Sequence, residues 1–462
     1  MISPTTLSAV HAREAARFRE RHPRCAELAR AGAGHFLYGV PMHWMNDWGT
    51  PTPMFVREAA GARLTCADGH EHTDFCLADT AAMFGHSPPA LARVISERAS
   101  HGLGTMLPGE DAPALGALLA ARFGLPLWQM ALSATDANRF CLRWARAVTG
   151  RPNIVVFDGC YHGTVDDVFV DLVDAADGRG PVPQTRASLL GQVSDLTART
   201  RVVEFNDLPA LQHALADGSV ACVIAEPVMT NVGMVLPEPG FMEALRAACT
   251  ATGTLLLIDE THTISSAPGG YAHAHGIRPD FLVLGKAIAG GLPCAVYGFD
   301  AALGERMRKA KDEAPPGHSG IGTTLAGNML GLAAVRATLA DVATPQAYAH
   351  MIAMAQSLEA GLQSVVAEHG LPWSVSRVGA RSEFQFCAAP PRNGRQARAA
   401  MSDSLEAAIH LYLLNRGVLI TPFHNMMLCC PVTAAADVDA LLRAFSACLA
   451  ELLGQTPVQS PR

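Results

Sequence analysis

The sequence predicts an α/β protein in which a mostly parallel sheet is followed by a smaller α+β portion. Between about residues 110 and 327, short apolar runs alternate with stretches of helical periodicity, as in a sheet whose strands are joined by helices. Beyond about residue 327 this alternation gives way to one long helix and a mixture of shorter elements. Two of the apolar runs end in polar residues, so we expect the chemistry of the protein at the edge of the sheet.

The bulk composition excludes several classes of protein. The chain has 462 residues, of which 49% are hydrophobic and 17% charged, and its net charge is −7. These values predict a folded chain with large cores, and they give no sign of nucleic-acid binding or of a basic membrane-binding face. No signal peptide or membrane-spanning run is recognised. The twelve cysteines include no Cys-x-x-Cys pair, which favours a reduced, cytoplasmic protein.

The pattern of elements predicts three segments. Residues 1–70 are expected to form an N-terminal helix and an ordered arm, and residues 71–327 the large domain. Residues 328–462 are expected to form the small α+β domain, which packs with the N-terminal segment and ends in a Pro/Gln/Ser tail.

Apolar runs bounded by turn residues predict the strands. Asp68-Gly69 favours a hairpin between Arg63–Cys66 and His72–Phe75. The strands of the large domain are predicted, in chain order, at Gln129–Leu132, Ile154–Phe157, Val202–Phe205, Val220–Ala225, Leu255–Ile258, Phe281–Leu284 and Cys294–Phe299.

Helices are predicted where apolar residues recur at helical spacing between capping residues. Ser133 starts one helix, which runs through Val148 and is ended by Gly150. The other predicted helices are Ala112–Phe123, one between residues 225 and 255 that ends before Gly253, Asn328–Ala340 and Ala435–Leu453.

Two of the predicted strands end in residues with useful chemistry. Asp259 follows one apolar run and Lys286 follows the next, and ligands of open α/β sheets bind at the carboxyl ends of the strands. A lysine held there can lose its proton and attack a carbonyl, and a buried carboxylate can hold a ring nitrogen protonated. The alternatives are a surface lysine and, for the acid, a helix cap or a metal ligand. A phosphate-binding P-loop is excluded because Asp280 occupies the position of its first glycine.

Further small motifs favour the binding of a flat, anionic ligand. Ser133-Ala134-Thr135 starts a helix and could bind an anion or act as a simple cap, and the same alternatives apply to Gly322–Asn328. Tyr161, in Gly159–Gly163, follows a strand and could stack on a planar ring. Two close histidine pairs, at residues 70 and 72 and at residues 273 and 275, have no third ligand at a usual spacing, so no metal site is predicted.

Taken in order, these motifs resemble those of the class III aminotransferases, and in particular the glutamate-1-semialdehyde aminomutase-like subgroup. The resemblance covers about residues 61–445. It implies fold type I of the pyridoxal 5′-phosphate (PLP) enzymes, with a large sheet domain and a smaller α+β domain. It also implies PLP as the cofactor and a homodimer with shared active sites. The residues that carry it are Ser133-Ala134-Thr135, Gly159–Gly163, Glu226-Pro227, Asp259-Glu260, Lys286 and Gly322–Asn328.

The resemblance also implies a role for each matching residue. Lys286 corresponds to the lysine that forms the internal aldimine and then moves the proton, and Asp259 to the partner of the pyridine nitrogen. Tyr161 corresponds to the stacked ring. The remaining cofactor contacts implied are Ser133, Ala134 and Thr135 for the phosphate, Thr324 for the phosphate from the second subunit, and His162, Glu226 and Thr261 around the ring.

The chain departs from the family pattern at four positions. Ala134 replaces a usual glycine, and Thr261 replaces a usual valine while keeping its branched shape. His262 has no family role that we can assign. Met426 stands where the aminomutase has a glutamate, after Pro422–Asn425, and this change favours an aminotransferase over the mutase.

The predicted function is a PLP-dependent aminotransferase that moves an amino group from an amino acid, with a β-amino acid as one option, to a keto acid through a Lys286 aldimine. The alternatives are a glutamate-1-semialdehyde-type 2,1-aminomutase or another PLP isomerase or racemase, and a catalytically silent binding protein. Arg381 is predicted to bind the substrate carboxylate, and its alternative is a surface arginine paired with Glu383.

Overall fold

The computed structural model describes residues 2–178 and 180–455, which form two compact units. We call Pro89–Pro345 with Pro391–Ala399 the large unit, and Met1–Pro88 with Gln346–Pro390 and Ala400–Arg462 the small unit. The predicted domain boundaries near residues 70 and 327 stay a prediction. The predicted Pro/Gln/Ser tail falls at residues 456–462, outside the described residues.

The strands largely follow the predicted apolar runs. In chain order they are β1 Val56–Ala60, β2 Arg63–Cys66, β3 Glu71–Asp74, β4 Leu127–Ala131, β5 Asn153–Phe157, β6 Val170–Asp174, β7 Pro181–Thr185, β8 Thr200–Val203, β9 Val220–Ala225, β10 Leu255–Asp259, β11 Phe281–Leu284, β12 Ala295–Phe299, β13 Ser374–Val378, β14 Arg381–Gln385, β15 Val418–Leu419 and β16 Met426–Leu428.

The predicted N-terminal helix and the helices predicted at residues 112–123, 133–148, between 225 and 255, 328–340 and 435–453 are present, and the structure adds others that were not predicted. They are α1 Pro4–Arg21, α2 Pro23–Gly32, α3 Pro89–Ala99, α4 Ala112–Phe123, α5 Ala134–Thr149, α6 Leu208–Leu215, α7 Phe241–Thr252, α8 Gly270–Ala274, α9 Ala301–Asp312, α10 Met329–Ala337, α11 Pro345–Glu368, α12 Gly394–Ala399, α13 Asp403–Leu414 and α14 Ala435–Leu452. Within the described residues, none of these helices is long and apolar enough to cross a membrane.

The large unit contains a seven-stranded sheet in the order β4-β12-β11-β10-β9-β5-β8. Strands β11, β10, β9, β5 and β8 are parallel, whereas β12 is antiparallel to both of its neighbours, β11 and β4. The predicted mostly parallel sheet is therefore confirmed. The one reversed strand follows from the short connection between β11 and β12, since a parallel return needs a crossover of about a dozen residues or more.

Burial on both faces explains why β9 and β10 lie at the centre of this sheet. Every residue of both strands is buried, and both read as continuous apolar runs, as parallel strands covered on two faces do. Helix α5 packs across one face, where Phe140, Cys141 and Ala145 join the main core of the large unit. The start of α5 is thereby held against the carboxyl ends of the strands.

Several features of the large unit were not predicted, among them the helices α3, α6 and α9 and the reversal of β12. Strands β6 and β7 form a separate antiparallel pair, and β7 contains Pro181 and Pro183, which argue against a strand in a sequence pattern. The predicted long helix Asn328–Ala340 instead ends as an α-helix at Ala337 and continues as a π-helical turn, Thr338–Val342. Asn328 caps this helix, because its side chain accepts a hydrogen bond from Gly331 N at 2.8 Å.

The small unit has two sheets of its own. One has the order β1-β2-β3-β15 and contains the predicted hairpin at Asp68-Gly69, and the other has the order β13-β14-β16. Helices α11, α13 and α14 pack on these strands around a core that includes Phe384 and Phe445.

The close packing of β12 against β4 can be tested at a glycine. A methyl group on Gly298 would lie 2.7 Å from the ring of Trp128 on β4. We expect Gly298→Ala to lower the free energy of unfolding by about 1–3 kcal/mol through overpacking. Gly116, inside α4, has nothing within 4 Å of the same methyl position, so Gly116→Ala should stabilise the protein by about 1 kcal/mol. Urea denaturation of both variants measures the two effects, and equal effects would contradict this packing.

Candidate active site

The predicted meeting of Asp259 and Lys286 at one sheet edge is confirmed. Strands β10 and β11 are parallel neighbours, and Asp259 pairs with Val283, three residues before the lysine. Lys286 has a φ of +46°, in the left-handed region that costs most residues about 1–2 kcal/mol. The lysine therefore leaves the strand in a sharp turn, and such strained residues concentrate at functional sites.

The carboxylate of Asp259 is fully engaged by four donors. Its Oδ1 accepts hydrogen bonds from Thr261 N at 3.0 Å and Thr261 Oγ1 at 2.6 Å, and its Oδ2 accepts from Asn138 Nδ2 at 2.8 Å and His162 Nδ1 at 3.0 Å. Burial opposes ionisation, but the bonds from His162 and Thr261 lower the pKa of Asp259 to about 2. The group is therefore an anion at neutral pH.

His162 is the charged partner of this acid. Burial disfavours its cation, but the neighbouring Cys160 and Asp259 raise the pKa of His162 well above its usual value. Its role as the partner of Asp259, and the contribution of Asn138, were not foreseen in the sequence analysis. Asn138 lies inside the predicted helix that starts after Ser133 and no sequence pattern marks it, whereas His162 is marked only by the family resemblance.

The adjacent acid, Glu260, has a different role because successive strand residues point to opposite faces. Its carboxylate accepts hydrogen bonds from Tyr271 N at 2.5 Å and Ala272 N at 2.6 Å, at the start of α8. Burial raises the pKa of Glu260 to about 7. Glu260 thus binds backbone amides at the start of α8. These amides lie on the opposite side of β10 from Asp259 and its four donors.

A chain of hydrogen bonds leads from Lys286 into the interior. Lys286 Nζ lies 2.5 Å from His262 Nε2, and His262 Nδ1 lies 2.7 Å from Thr230 Oγ1. Thr230 Oγ1 in turn donates to Glu226 Oε2 at 3.0 Å. His262, for which the sequence analysis found no role, is therefore in direct contact with the candidate nucleophile, and Thr230 was not singled out at all.

Glu226 also fixes the segment that carries Tyr161. Its Oε1 accepts from Tyr161 N at 3.2 Å, and its Oε2 accepts from Thr230 N at 3.1 Å. Burial raises the pKa of Glu226. The side chain of Tyr161 is 40% exposed, so part of its ring is accessible to a ligand. Stacking on a cofactor remains a prediction for this residue.

At the start of α5 the helix cap, one of the two predicted alternatives, is present, and the anion site stays a prediction. Ser133 Oγ caps the helix by accepting from Asp136 N at 3.2 Å, and Thr135 Oγ1 accepts from Thr164 N at 3.1 Å. The first-turn amides of a helix have no partner within the helix, and together with the helix dipole they attract anions. A methyl group on Gly285 would lie 2.8 Å from Ala134 Cβ. We call Ser133–Thr135 the phosphate loop. It therefore lies against Gly285, the residue before Lys286.

The structure places Thr324 in an exposed turn just before α10. Its predicted contact, with a phosphate in a second subunit, involves a chain other than its own and stays a prediction.

Arg381 lies in the small unit and is completely buried on β14, where its Nη2 donates to Thr80 Oγ1 at 2.5 Å. The alternative of a surface arginine is therefore wrong. Glu383 accepts instead from His424 Nδ1 at 3.0 Å. Met426, on β16, is buried and lies directly opposite Glu383 in the sheet register. The predicted substrate contact of Arg381 stays a prediction.

The described residues contain one group of potential metal ligands that the sequence analysis did not identify. Ligand atoms of Cys25, Cys66 and Asp68, in the small unit, lie within 4.8 Å of one another. Asp68 already accepts hydrogen bonds from Arg24 N at 2.7 Å and Cys25 N at 3.1 Å, at the start of α2. Capping of this helix therefore accounts for the position of the acid.

The donor set around Lys286 fits PLP. Asp259 is a buried anion that suits a protonated ring nitrogen, and the start of α5 suits a phosphate. Tyr161 offers an accessible aromatic face, and Lys286 offers the amine that a cofactor aldehyde requires.

Comparison with known proteins leads to the same family. The model of the family Aminotransferase class-III matches residues 44–449. A glutamate-1-semialdehyde 2,1-aminomutase of Bordetella avium (strain 197N) is 32% identical over 375 residues, which cover 80% of this chain and 85% of that protein.

Solved structures extend the similarity over nearly the whole chain. A glutamate-1-semialdehyde-aminomutase from Pseudomonas aeruginosa PAO1 is 50% identical, with a TM-score of 0.94 over 98% of this chain and 99% of that one. A lysine-to-alanine variant of such an aminomutase from the same strain was solved in complex with PMP. A β-phenylalanine aminotransferase from Variovorax paradoxus is 27% identical, with a TM-score of 0.82 over 95% of this chain and 96% of that one. The resemblance and the fold type inferred from sequence are confirmed.

The Asp259–His162 pair predicts a pH-dependent stability difference. Removing the acid with Asp259→Asn leaves His162 buried without its charged partner, which should cost about 3–5 kcal/mol at pH 6. Because the folded pKa of His162 is raised, its contribution is present below the unfolded value of about 6.5 and is lost as the pH rises through the folded value. Asp259 stays ionised throughout, since its pKa is about 2.

We therefore expect the difference in unfolding free energy between wild type and Asp259→Asn to shrink from pH 6 to pH 10. Urea denaturation at several pH values measures it, and Thr261→Val is the control that removes one neutral donor and keeps the ion pair. A difference that is constant with pH would contradict the charged pair.

Proposed function

Because the chain belongs to the class-III aminotransferase family, whose cofactor is PLP, we propose that it is an aminomutase of the glutamate-1-semialdehyde type. In this reaction the amino group moves between two carbons of one amino-acid substrate. The chain is an enzyme of fold type I. The sequence alone favours an aminotransferase and has the aminomutase as its alternative. We now place the aminomutase first and the aminotransferase second.

The observation that supports the aminomutase is the agreement between two comparisons. The Bordetella and Pseudomonas proteins bear the same name, and each shares most of its length with this chain. The Pseudomonas protein is also nearly twice as similar in sequence as the Variovorax aminotransferase.

Bound PLP supplies an aldehyde that can join to an amine and a ring that accepts the electrons of a breaking bond. In the proposal, Asp259 holds a proton at the ring nitrogen, because its anionic state is enforced by four hydrogen bonds. The amides at the start of α5 hold the phosphate, and Tyr161 limits movement of the ring. Thr261 acts through its hydroxyl on Asp259, which differs from the packing role that the sequence suggested.

Lys286 has two proposed tasks. It anchors the cofactor through its amine, and when the substrate takes its place it carries a proton to and from the reacting carbon. The left-handed turn at Lys286 and the contact between Gly285 and Ala134 position this amine beside the phosphate loop.

Substrate recognition is proposed for the small unit. A guanidinium can bind a carboxylate in a bidentate manner, and Arg381, which is completely buried in this structure, would have to become accessible to do so. The family's glutamate is replaced by Met426, but Glu383 provides a buried carboxylate on the paired strand, directly opposite that position. An acid is thus retained in this region of the small unit.

The second candidate function is transfer of the amino group between two substrates, from an amino acid to a keto acid. The likeness to the β-phenylalanine aminotransferase and the loss of the glutamate at residue 426 favour it. A β-amino acid is then the expected donor.

The two functions differ in their need for a keto acid. We expect the PLP-loaded enzyme to convert many equivalents of glutamate 1-semialdehyde to 5-aminolevulinate with no keto acid present, and Lys286→Ala to lower this rate at least a thousandfold. Product is measured by chromatography, with and without pyruvate or 2-oxoglutarate. Consumption of glutamate 1-semialdehyde that stops near one equivalent per active site, forms no 5-aminolevulinate and resumes when a keto acid is added would establish the aminotransferase instead.

We also propose that the enzyme acts as a homodimer with shared active sites. Four exposed apolar side chains of the large unit, Leu103, Met106, Leu107 and Leu325, form what we call the apolar patch. Its two segments are adjacent, since Leu103 O accepts from Met329 N at 2.9 Å. Thr324, the residue expected to reach a partner's phosphate, borders this patch in sequence. Exposed apolar surface of this kind is typical of protein–protein interfaces.

A charge in the apolar patch should therefore prevent dimerisation. Met106 is 83% exposed, so Met106→Asp is not expected to disturb the fold. We expect it to yield a monomer in sedimentation experiments and to weaken cofactor binding at least tenfold, because Thr324 of the partner would be lost. Val193→Asp, at an even more exposed apolar residue of another loop, is the control and should remain dimeric. A dimeric Met106→Asp variant would place the interface elsewhere.

A further inference from the structure

We propose that Glu226, Thr230 and His262 form a proton relay that takes a proton from the amine of Lys286. The proposal rests on the role of Lys286 in the proposed function and explains how its amine becomes reactive. In water a lysine has a pKa of about 10.4, so at pH 7 only about one amine in 2,500 is unprotonated. An anchor lysine therefore benefits from a built-in acceptor for its proton.

The relay is continuous in space and shielded from water. Its three links are the contacts from Lys286 Nζ to His262 Nε2 at 2.5 Å, from His262 Nδ1 to Thr230 Oγ1 at 2.7 Å and from Thr230 Oγ1 to Glu226 Oε2 at 3.0 Å. His262, Thr230 and Glu226 are all buried, whereas Lys286 is half-buried and faces the site. All four belong to the large unit.

Two arrangements of hydrogen atoms satisfy every link. In the first, the Lys286 ammonium donates to His262 Nε2, His262 Nδ1–H donates to the Thr230 oxygen, and the Thr230 hydroxyl donates to the Glu226 carboxylate. In the second, Glu226 is a carboxylic acid that donates to Thr230, Thr230 donates to His262 Nδ1, and His262 Nε2–H donates to the neutral Lys286 amine.

The step between these arrangements moves one proton along each link. The ammonium of Lys286 loses a proton and the carboxylate of Glu226 gains one, while His262 changes tautomer and Thr230 exchanges its hydroxyl hydrogen. Charge and atoms balance without another reactant. The step needs an imidazole and a hydroxyl in the middle, because only groups that both donate and accept can pass a proton.

The surroundings of Glu226 make it a suitable acceptor. Burial raises the pKa of Glu226, the nearby His162 cation opposes this effect, and the nearby Asp259 anion adds to it. Tyr161 N and Thr230 N also donate to the carboxylate and favour its charged form. The Lys286 ammonium faces the other end of the relay. Because burial prevails and the pKa of Glu226 is raised overall, the two arrangements are closer in free energy than they would be in water.

The test compares Thr230→Val, which removes the hydroxyl while keeping the shape, with Thr230→Ser, which keeps the hydroxyl. The full chain, freed of cofactor, is treated with acetic anhydride at pH 6 to 10.5, and acetylation is measured for each lysine by peptide mass spectrometry. The chain has three lysines, and the exposed Lys309 and Lys311 serve as internal references.

We expect the acetylation rate of Lys286, relative to the references, to fall at least tenfold in Thr230→Val at pH 7 and to equal that of wild type near pH 10.5. In strongly basic solution hydroxide takes protons from amines directly, so a relay has no effect there. Thr230→Ser should follow wild type at every pH. His262→Gln, which can hold a hydrogen bond but cannot pass a proton in this way, should behave like Thr230→Val.

Two outcomes would overturn the relay. One is a Thr230→Val profile identical to that of wild type, and the other is a reduction by the same factor at every pH, which would indicate a purely structural role. Thermal unfolding of each variant establishes that it is folded, and His262→Gln takes the place of Thr230→Val if that variant is not. Acetylation requires neither substrate nor turnover, so failure of the aminomutase proposal and failure of the relay are distinguishable.

Discussion

The parallel pairing of β10 with β11 is the constraint on which the site depends. It brings the last residue of one strand, Asp259, to the same edge as the turn that follows the other, where Lys286 lies. Both strands are buried on two faces, so their register cannot shift without exposing apolar side chains. The backbone positions from which the candidate acid and the candidate amine extend are therefore set by the core.

Charge inside this core is stabilised by specific partners. Asp259 and Glu260 are consecutive and both buried, yet Asp259 is held as an anion by side-chain and backbone donors, whereas burial raises the pKa of Glu260 to about 7. The strand places them on opposite faces, where Asp259 meets His162 and Glu260 meets the backbone of α8. Two adjacent carboxylates thus have different roles because they have different partners. Asp259 has a candidate catalytic role, and Glu260 has a structural one.

The sequence was sufficient for the sheet, for the helix that starts after Ser133 and for the placement of Asp259 and Lys286 at one edge of the sheet, because apolar runs and capping residues determine these features locally. It was not sufficient for the antiparallel β12 or for contacts made across the fold. Asn138, Thr230 and His262 lie far apart in the chain and acquire their partners only when the sheet brings the strand ends together. The burial of Arg381 likewise follows from packing in the small unit, which no local pattern reveals.

The central claim is that Lys286 is the residue that joins the cofactor. The most direct measurement is to incubate the full chain with PLP, reduce it with borohydride and locate the modified lysine by peptide mass spectrometry. With three lysines in the chain, the assignment is unambiguous. The account predicts one reduced cofactor per chain, attached at residue 286. Attachment at Lys309 or Lys311, or no stable attachment, would contradict it.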